Sequence, residues 1–161
     1  MLIRQAACDE MLRLWGYGDA DNAPATARFF YHNLASGNAV FWALEHEGAL
    51  IGELYAFFAL ESDRDFADGT DTAYLCAFRI RQEHRGHGLG SMLMEAALAD
   101  LKRRGFRHAT IGVDDERNER LYRRLGFRTK IKDCFLDPCA MDENMHPARD
   151  ENGYLLLAKD L

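Results

Sequence analysis

Long apolar runs are missing from this sequence. Nowhere does it hold the roughly 18 uninterrupted apolar residues that a membrane-spanning helix requires, and its start, MLIRQAACDEML, lacks the apolar stretch of a signal peptide. The expectation is a cytoplasmic protein with no membrane association. Cysteine is sparse as well. Cys8, Cys76, Cys134 and Cys139 are too few and too scattered for a disulfide scaffold, so reduced thiols are expected. Cys134 and Cys139, with His146 beyond them, match no common zinc spacing, and no metal site is expected. Positive charge is in deficit: 20 Lys and Arg against 26 Asp and Glu leave a formal net charge of −6. Nucleic acid demands a basic face for its phosphates, so it is excluded as a partner, whereas cationic small molecules stay open. Repeats, linkers and low-complexity segments are also lacking, which argues for one domain over residues 1–161.

What is present is a 48% hydrophobic chain, enough for a stable core, whose segments alternate between strand and helix signals. A short strand at Leu2–Arg4 precedes helices at Asp9–Trp15 and Pro24–Ala35, the second with proline in its first turn. Val40–Glu45 and Leu50–Leu60 flank His46-Glu47-Gly48-Ala49 as a hairpin. Thr72–Ile80 shows almost nothing polar before Arg79, as expected of a central strand covered on both sides. Leu89, Met92, Leu93, Ala96, Ala97 and Leu101 then form a helical stripe from Gly88 to Arg104, closed by cations and Gly105. A strand at His108–Val113, a helix at Glu116–Leu125 and strands near Thr129–Phe135 and Tyr154–Lys159 complete the chain, with Leu136–Gly153 read as a polar loop.

Between the central strand and the striped helix stands Arg85-Gly86-His87-Gly88-Leu89-Gly90. A strand, a glycine-rich turn and a helix make an anion site, because the first helical N–H groups lack intrahelical partners and the helix dipole adds partial positive charge. A dinucleotide loop starting at Gly86 needs glycine or alanine where Ser91 stands, and a P-loop needs Gly-Lys where Ser91 and Met92 stand. Both fail. What remains, Arg85-x-x-Gly88-x-Gly90, resembles the pyrophosphate motif of the GCN5-related N-acetyltransferases, the GNAT family. Asn118 to Phe127, with Leu121-Tyr122-Arg123-Arg124-Leu125-Gly126-Phe127, resembles the family's later segment.

The resemblance implies a GNAT fold of the α/β (α+β) class, a mixed, mostly antiparallel sheet of about six to seven strands flanked by helices. It implies acetyl-CoA as cosubstrate, its pyrophosphate held by Arg85, Gly86, His87, Gly88, Leu89, Gly90 and Ser91. Asn118 and Tyr122, spaced i and i+4, share a helix face toward the same ligand. The family's asparagine commonly sits where this chain has Asp115. Backbone N–H groups of Phe78, Arg79 and Ile80 bind the thioester oxygen if the central strand splays from its neighbour after Val113, and Tyr122 protonates departing coenzyme A. For the base, several relatives carry glutamate or histidine on the central strand, where this chain shows Tyr74 and Cys76.

The residues leave that base open. Glu53 lies among apolar neighbours that would raise its pKa, or is a solvent-facing strand residue; Asp114 and Asp115 follow a strand end. Cys76 reads as a small buried hydrophobe rather than an acetyl carrier. Glu61 to Asp71 carries five carboxylates against Arg64, either a solvated loop or an attractor for a polycationic acceptor. The expected protein is an N-acetyltransferase acting on a small-molecule or peptide amine, with a homodimer through the closing strands allowed. The alternative is a GNAT-shaped acyl-CoA sensor without turnover.

Overall fold

A computed structural model describes all residues 1–161. The elements run β1 (Leu2–Ala6), α1 (Cys8–Trp15), α2 (Ala25–Ser36), β2 (Ala39–His46), β3 (Ala49–Phe57), β4 (Thr72–Ile80), α3 (Leu89–Arg103), β5 (His108–Val113), α4 (Glu116–Arg124), β6 (Thr129–Met141) and β7 (Pro147–Asp160), with a short 3-10 turn at Gln82–His84. All seven strands form one sheet in the order β1-β2-β3-β4-β5-β7-β6. Every neighbouring pair is antiparallel except β4 and β5. That single parallel pair needs a crossover, which the apolar stripe of α3 supplies by packing back on the sheet. The expected mixed, mostly antiparallel α/β sheet is what the chain forms.

Outside the last hairpin, local chemistry places these elements within three residues of their sequence signals, β3 ending at Phe57 and not at Leu60. Glu47 and Gly48, at φ 51° and 80°, make a two-residue turn between β2 and β3, and His46 and Ala49 pair rather than loop out. Pro24 is the residue before α2 rather than its first-turn residue. On one face of the sheet Leu93, Met94, Ala97 and Leu101 of α3 meet Leu44, Leu54, Leu75 and Ile111. On the other, Met11 of α1 and Phe30 of α2 pack on Phe41, Tyr55, Phe57 and Tyr74. Each fully buried side chain of this size contributes about 1.5–3 kcal/mol.

One segment differs outright. Leu136–Gly153 is not a polar loop: β6 and β7 extend through most of it as a long hairpin whose turn lies at Asp142–His146. Three register shifts along the β6–β7 ladder break its period-2 alternation. Met141 N–H donates to Thr26 Oγ1 at 3.0 Å, which fastens the distal hairpin against α2.

Candidate active site

The site arises where the sheet comes apart. Parallel pairing of β4 with β5 ends at Leu75 and Ile111, although β4 runs on to Ile80 and β5 to Val113. The strands therefore separate before Val113 and not after it, as the sequence had suggested. On the other side of β4 the register slips, with Glu53 opposite Arg79 but Tyr55 opposite Cys76. Ala77 and Phe78 consequently have no ladder partner on either side. Ala77 sits at φ 50°, a left-handed conformation that costs a non-glycine residue about 1–2 kcal/mol. A cleft of about 980 Å³ occupies the opening and draws walls from both faces of the sheet.

The glycine-rich turn lies at one end. Gly86 and Gly88 adopt φ 84° and 77°, and a Cβ on either would meet nothing within 4 Å, so backbone conformation and not crowding requires glycine there. Gly90 differs: a Cβ would stand 3.2 Å from Phe78 Cζ. Gly88 caps α3, whose first-turn N–H groups lack intrahelical partners beside the cleft. Arg85 Nε donates to the Ile80 carbonyl at 2.8 Å, tying the turn to β4. Of the turn residues Arg85 alone lines the cleft itself. Gly86, His87 and Gly88 are exposed beside it, and the Leu89 side chain is buried in the α3 core, so Leu89 can offer a ligand only its backbone.

Helix α4 brings Asn118 and Tyr122 to the same cleft. Asp115 caps that helix by accepting the Asn118 N–H at 2.7 Å, so this carboxylate is spent on starting the helix. The Tyr122 ring lies 6.4 Å from that of Phe78 and is 8% exposed. Burial, with the negative charges of Asp114 and Asp115, pushes its hydroxyl up to about 12.

Across the sheet, Glu53 is 5% exposed. Its Oε1 accepts from Arg79 Nε at 2.7 Å and pairs with Nη2 at 2.6 Å, and both its oxygens accept from Trp15 Nε1 at 3.3 Å. The Arg79 guanidinium lies 5.3 Å over the Trp15 ring. Burial raises the Glu53 pKa above the ordinary carboxylate range; Arg79 and the Trp15 hydrogen bonds pull against that shift without cancelling it. Tyr55, fully buried beside it, has a hydroxyl without any partner.

Phe78, Arg79, Ile80, Arg85, Asn118, Tyr122 and Glu53 are thus gathered in one cleft, as are Tyr74, Cys76 and Asp114. Cys139, which the sequence reading set aside with Cys134 and His146, also lines it; burial pushes its thiol up, leaving it a poor nucleophile. No group of three or more His, Cys, Asp or Glu side chains is arranged to hold a metal ion.

Of the two readings of the acidic loop, the attractor for an acceptor finds no support in the geometry. None of the carboxylates between Glu61 and Asp71 lines the cleft. Asp63 and Asp65 pair with Lys132 of β6 at 2.6 and 3.0 Å. Partial burial works against ionisation of Asp68, but N–H groups of Thr70, Asp71 and Thr72 on its Oδ1 hold it down to about 2. The carboxylates that do reach the far end of the cleft are Asp137 and Asp150 of the hairpin, among Trp15, Tyr17, Phe30 and Tyr154. Sequence reasoning missed these, because Trp15 carried no signal beyond its helix and the hairpin was read as a loop.

A family model of the acetyltransferase (GNAT) family matches residues 4–127. The chain belongs to that family. No curated protein matches this acetyltransferase significantly. Among solved structures it is similar to an IAA acetyltransferase from Bacillus cereus, at 17% identity over 99% of each chain with a TM-score of 0.63. It is similar to an aminoglycoside 6'-N-acetyltransferase complexed with coenzyme A, at 15% identity, covering 99% of this chain and 97% of that one, with a TM-score of 0.65. A polyamine N-acetyltransferase of Drosophila melanogaster matches at 16% identity over 99% of each chain, with a TM-score of 0.64. At these identities the acetyltransferase shares their fold.

Proposed function

We propose that the chain is an acetyl-CoA-dependent N-acetyltransferase that moves the acetyl group to a primary amine by direct attack on the thioester, with a polycationic small molecule as acceptor. The observation that carries the reading is one cleft holding the unpaired β4 segment Ala77–Phe78, the glycine turn at its rim and the Tyr122 hydroxyl. The turn from Arg85 to Ser91 takes the pyrophosphate through N–H groups. Of the expected groups, the N–H of Phe78 has no ladder partner and receives the thioester oxygen as it gains charge, a fixed dipole where water would have to reorganise. Arg79 and Ile80 instead stand opposite Glu53 and Gly52 in the β3 ladder. Asn118 flanks the pantetheine arm.

Tyr122 gives the departing thiolate its proton. Its hydroxyl stays protonated at neutral pH, and a thiolate released against the same buried ring gains basicity by losing water, which brings donor and recipient closer. Glu53, made more basic by burial, takes the proton from the incoming ammonium directly or through water. The aminoglycoside and polyamine enzymes among the similar folds support a cationic acceptor. A cytoplasmic protein fits the reading. So does a homodimer, through edge strand β6 with Ile131, Phe135 and Leu136 exposed.

The test incubates purified protein with acetyl-CoA and a panel of primary amines while free thiol is followed. Amine-dependent thiol release is expected. Tight acetyl-CoA binding without release on any amine makes the chain an acyl-CoA-binding module instead.

A further inference from the structure

At the far end of the cleft the β6–β7 hairpin presents two carboxylates without a countercharge. Asp137 opposes Ala148 in the ladder, Asp150 follows where the register slips, and both line the cleft. Asp137 Oδ1 accepts the N–H groups of Cys139 and Ala140, at 2.9 and 3.2 Å. Asp150 Oδ1 accepts those of Asn152 and Gly153, at 3.2 and 3.1 Å. These bonds fix both side chains and leave each second oxygen without a protein donor. No cation of the protein answers them: Arg79 is committed to Glu53 and Lys132 to Asp63 and Asp65. Arg149, the adjacent residue, is exposed and does not line the cleft.

An independent feature points to a ligand in the same place. Tyr74 is 5% exposed and lines the cleft, yet its hydroxyl makes no hydrogen bond within the protein. A Cβ on Gly112 would stand 3.3 Å from that oxygen and 3.1 Å from the Tyr154 ring. Glycine on β5, past the point where β4 has left it, therefore lets the Tyr74 hydroxyl and the Tyr154 ring close in on the backbone, where a side chain would crowd both. The Tyr74 hydroxyl, with no bond inside the protein, is free to bond a ligand in the cleft it lines. Both aromatic faces suit methylene groups, and the carboxylates beyond suit an ammonium.

We propose that Asp137, Asp150 and the Tyr74 hydroxyl form a subsite for a second positive charge on the acceptor, which makes the substrate class aliphatic diamines and longer polyamines. The subsite rests on the N-acetyltransferase reading: one amine reaches Glu53 and the thioester while the other is held at the hairpin. Its fixed oxygens lower the ordering cost of binding.

The test compares 1-butylamine with 1,4-diaminobutane, which differ by one ammonium, in the wild type, Asp137→Asn, Asp150→Asn and Tyr74→Phe. Asparagine retains the oxygen that caps the local backbone, and thermal unfolding checks the fold. The wild type is expected to favour the diamine in kcat/KM, and that preference is expected to fall about tenfold in each Asn variant, the scale of a charged hydrogen bond. Equal rates on the two amines in the wild type, or equal losses on both in the variants, overturn the subsite. If no amine is acetylated, the enzyme reading has failed, and calorimetry of 1,4-diaminobutane with the coenzyme A-loaded protein decides the subsite alone. Binding weakened by Asp137→Asn supports it, and no binding to the wild type refutes it.

Discussion

Replacing Arg79 with methionine keeps the length of the side chain and removes the charge that faces Glu53. Arg79 makes contacts of 2.6 and 2.7 Å to one oxygen of a carboxyl that is 5% exposed. Breaking a buried ion pair by removing one partner costs about 3–5 kcal/mol. Glu53 can escape some of that by taking a proton. Protonation costs about 1.4 kcal/mol for each unit between the pKa and the ambient pH, so from an unperturbed value near 4.3 the escape at pH 7 costs at most about 3.7 kcal/mol. Burial has already raised the folded pKa, and the Arg79 side chain is 59% exposed, so screening lowers the loss further. The expected destabilisation is about 1–3 kcal/mol at pH 7. Its pH dependence follows from the direction of the shift. Arg79 holds the Glu53 pKa down, so the variant's folded pKa rises above that of the wild type. Below the wild-type value the carboxyl is neutral in both proteins and the charge-dependent loss vanishes. Above it the variant falls behind by up to about 1.4 kcal/mol per pH unit, until its own Glu53 ionises. Urea unfolding across this range measures the difference, with Glu53→Gln added as the control that flattens it. A loss independent of pH, or equally large when Glu53 is already glutamine, refutes the reasoning.

Tyr122→Phe keeps the ring against Phe78 and deletes the proton donor. Turnover under chemistry-limited conditions is expected to fall about 10²–10⁴-fold with little change in acetyl-CoA affinity. Wild-type turnover in this variant assigns the proton to water or another group. Gly88→Asp forces a side chain onto a residue at φ 77° and puts negative charge at the N-terminus of α3; calorimetry is expected to show acetyl-CoA binding largely lost while circular dichroism stays native. Asp68→Ala removes the acceptor of three backbone N–H groups and is expected to cost about 1–2 kcal/mol at neutral pH. Because the folded Asp68 pKa is depressed to about 2, the ionic share of that stability is lost as pH falls from about 4 toward 2. Chemical denaturation that shows the same gap at pH 7 and at about pH 2 would place the contribution elsewhere.

The features legible in the sequence are those that local stereochemistry dictates. Arg85 to Ser91 and Leu121 to Phe127 declare themselves because turns at positive φ and helix ends demand particular residues at short spacing. The striped helix α3 is legible for the same reason. The distal hairpin is not, since its register shifts break the alternation that marks a strand and its outward residues are polar. Nor is the fate of a charge. Asp63 looks the same in sequence whether it meets a substrate or Lys132, 69 residues away. Glu53 likewise depends on Trp15 and Arg79, 38 and 26 positions distant, and only the folded sheet brings them together.

The strand order also governs how the sheet is assembled in time. Strands β1 to β5 pair with neighbours made just before them, but β7, the last strand in sequence, is the one that lies between β5 and β6. While the chain is being synthesised, β5 presents a bare row of N–H and C=O groups along one side, and β6 has nothing to pair with, until Pro147–Asp160 has emerged. The Thr110-Ile111-Gly112-Val113 stretch is in that interval an open template for another nascent chain. Docking β7 is therefore a late, long-range step that both finishes the cleft wall at Tyr154 and withdraws the sticky edge.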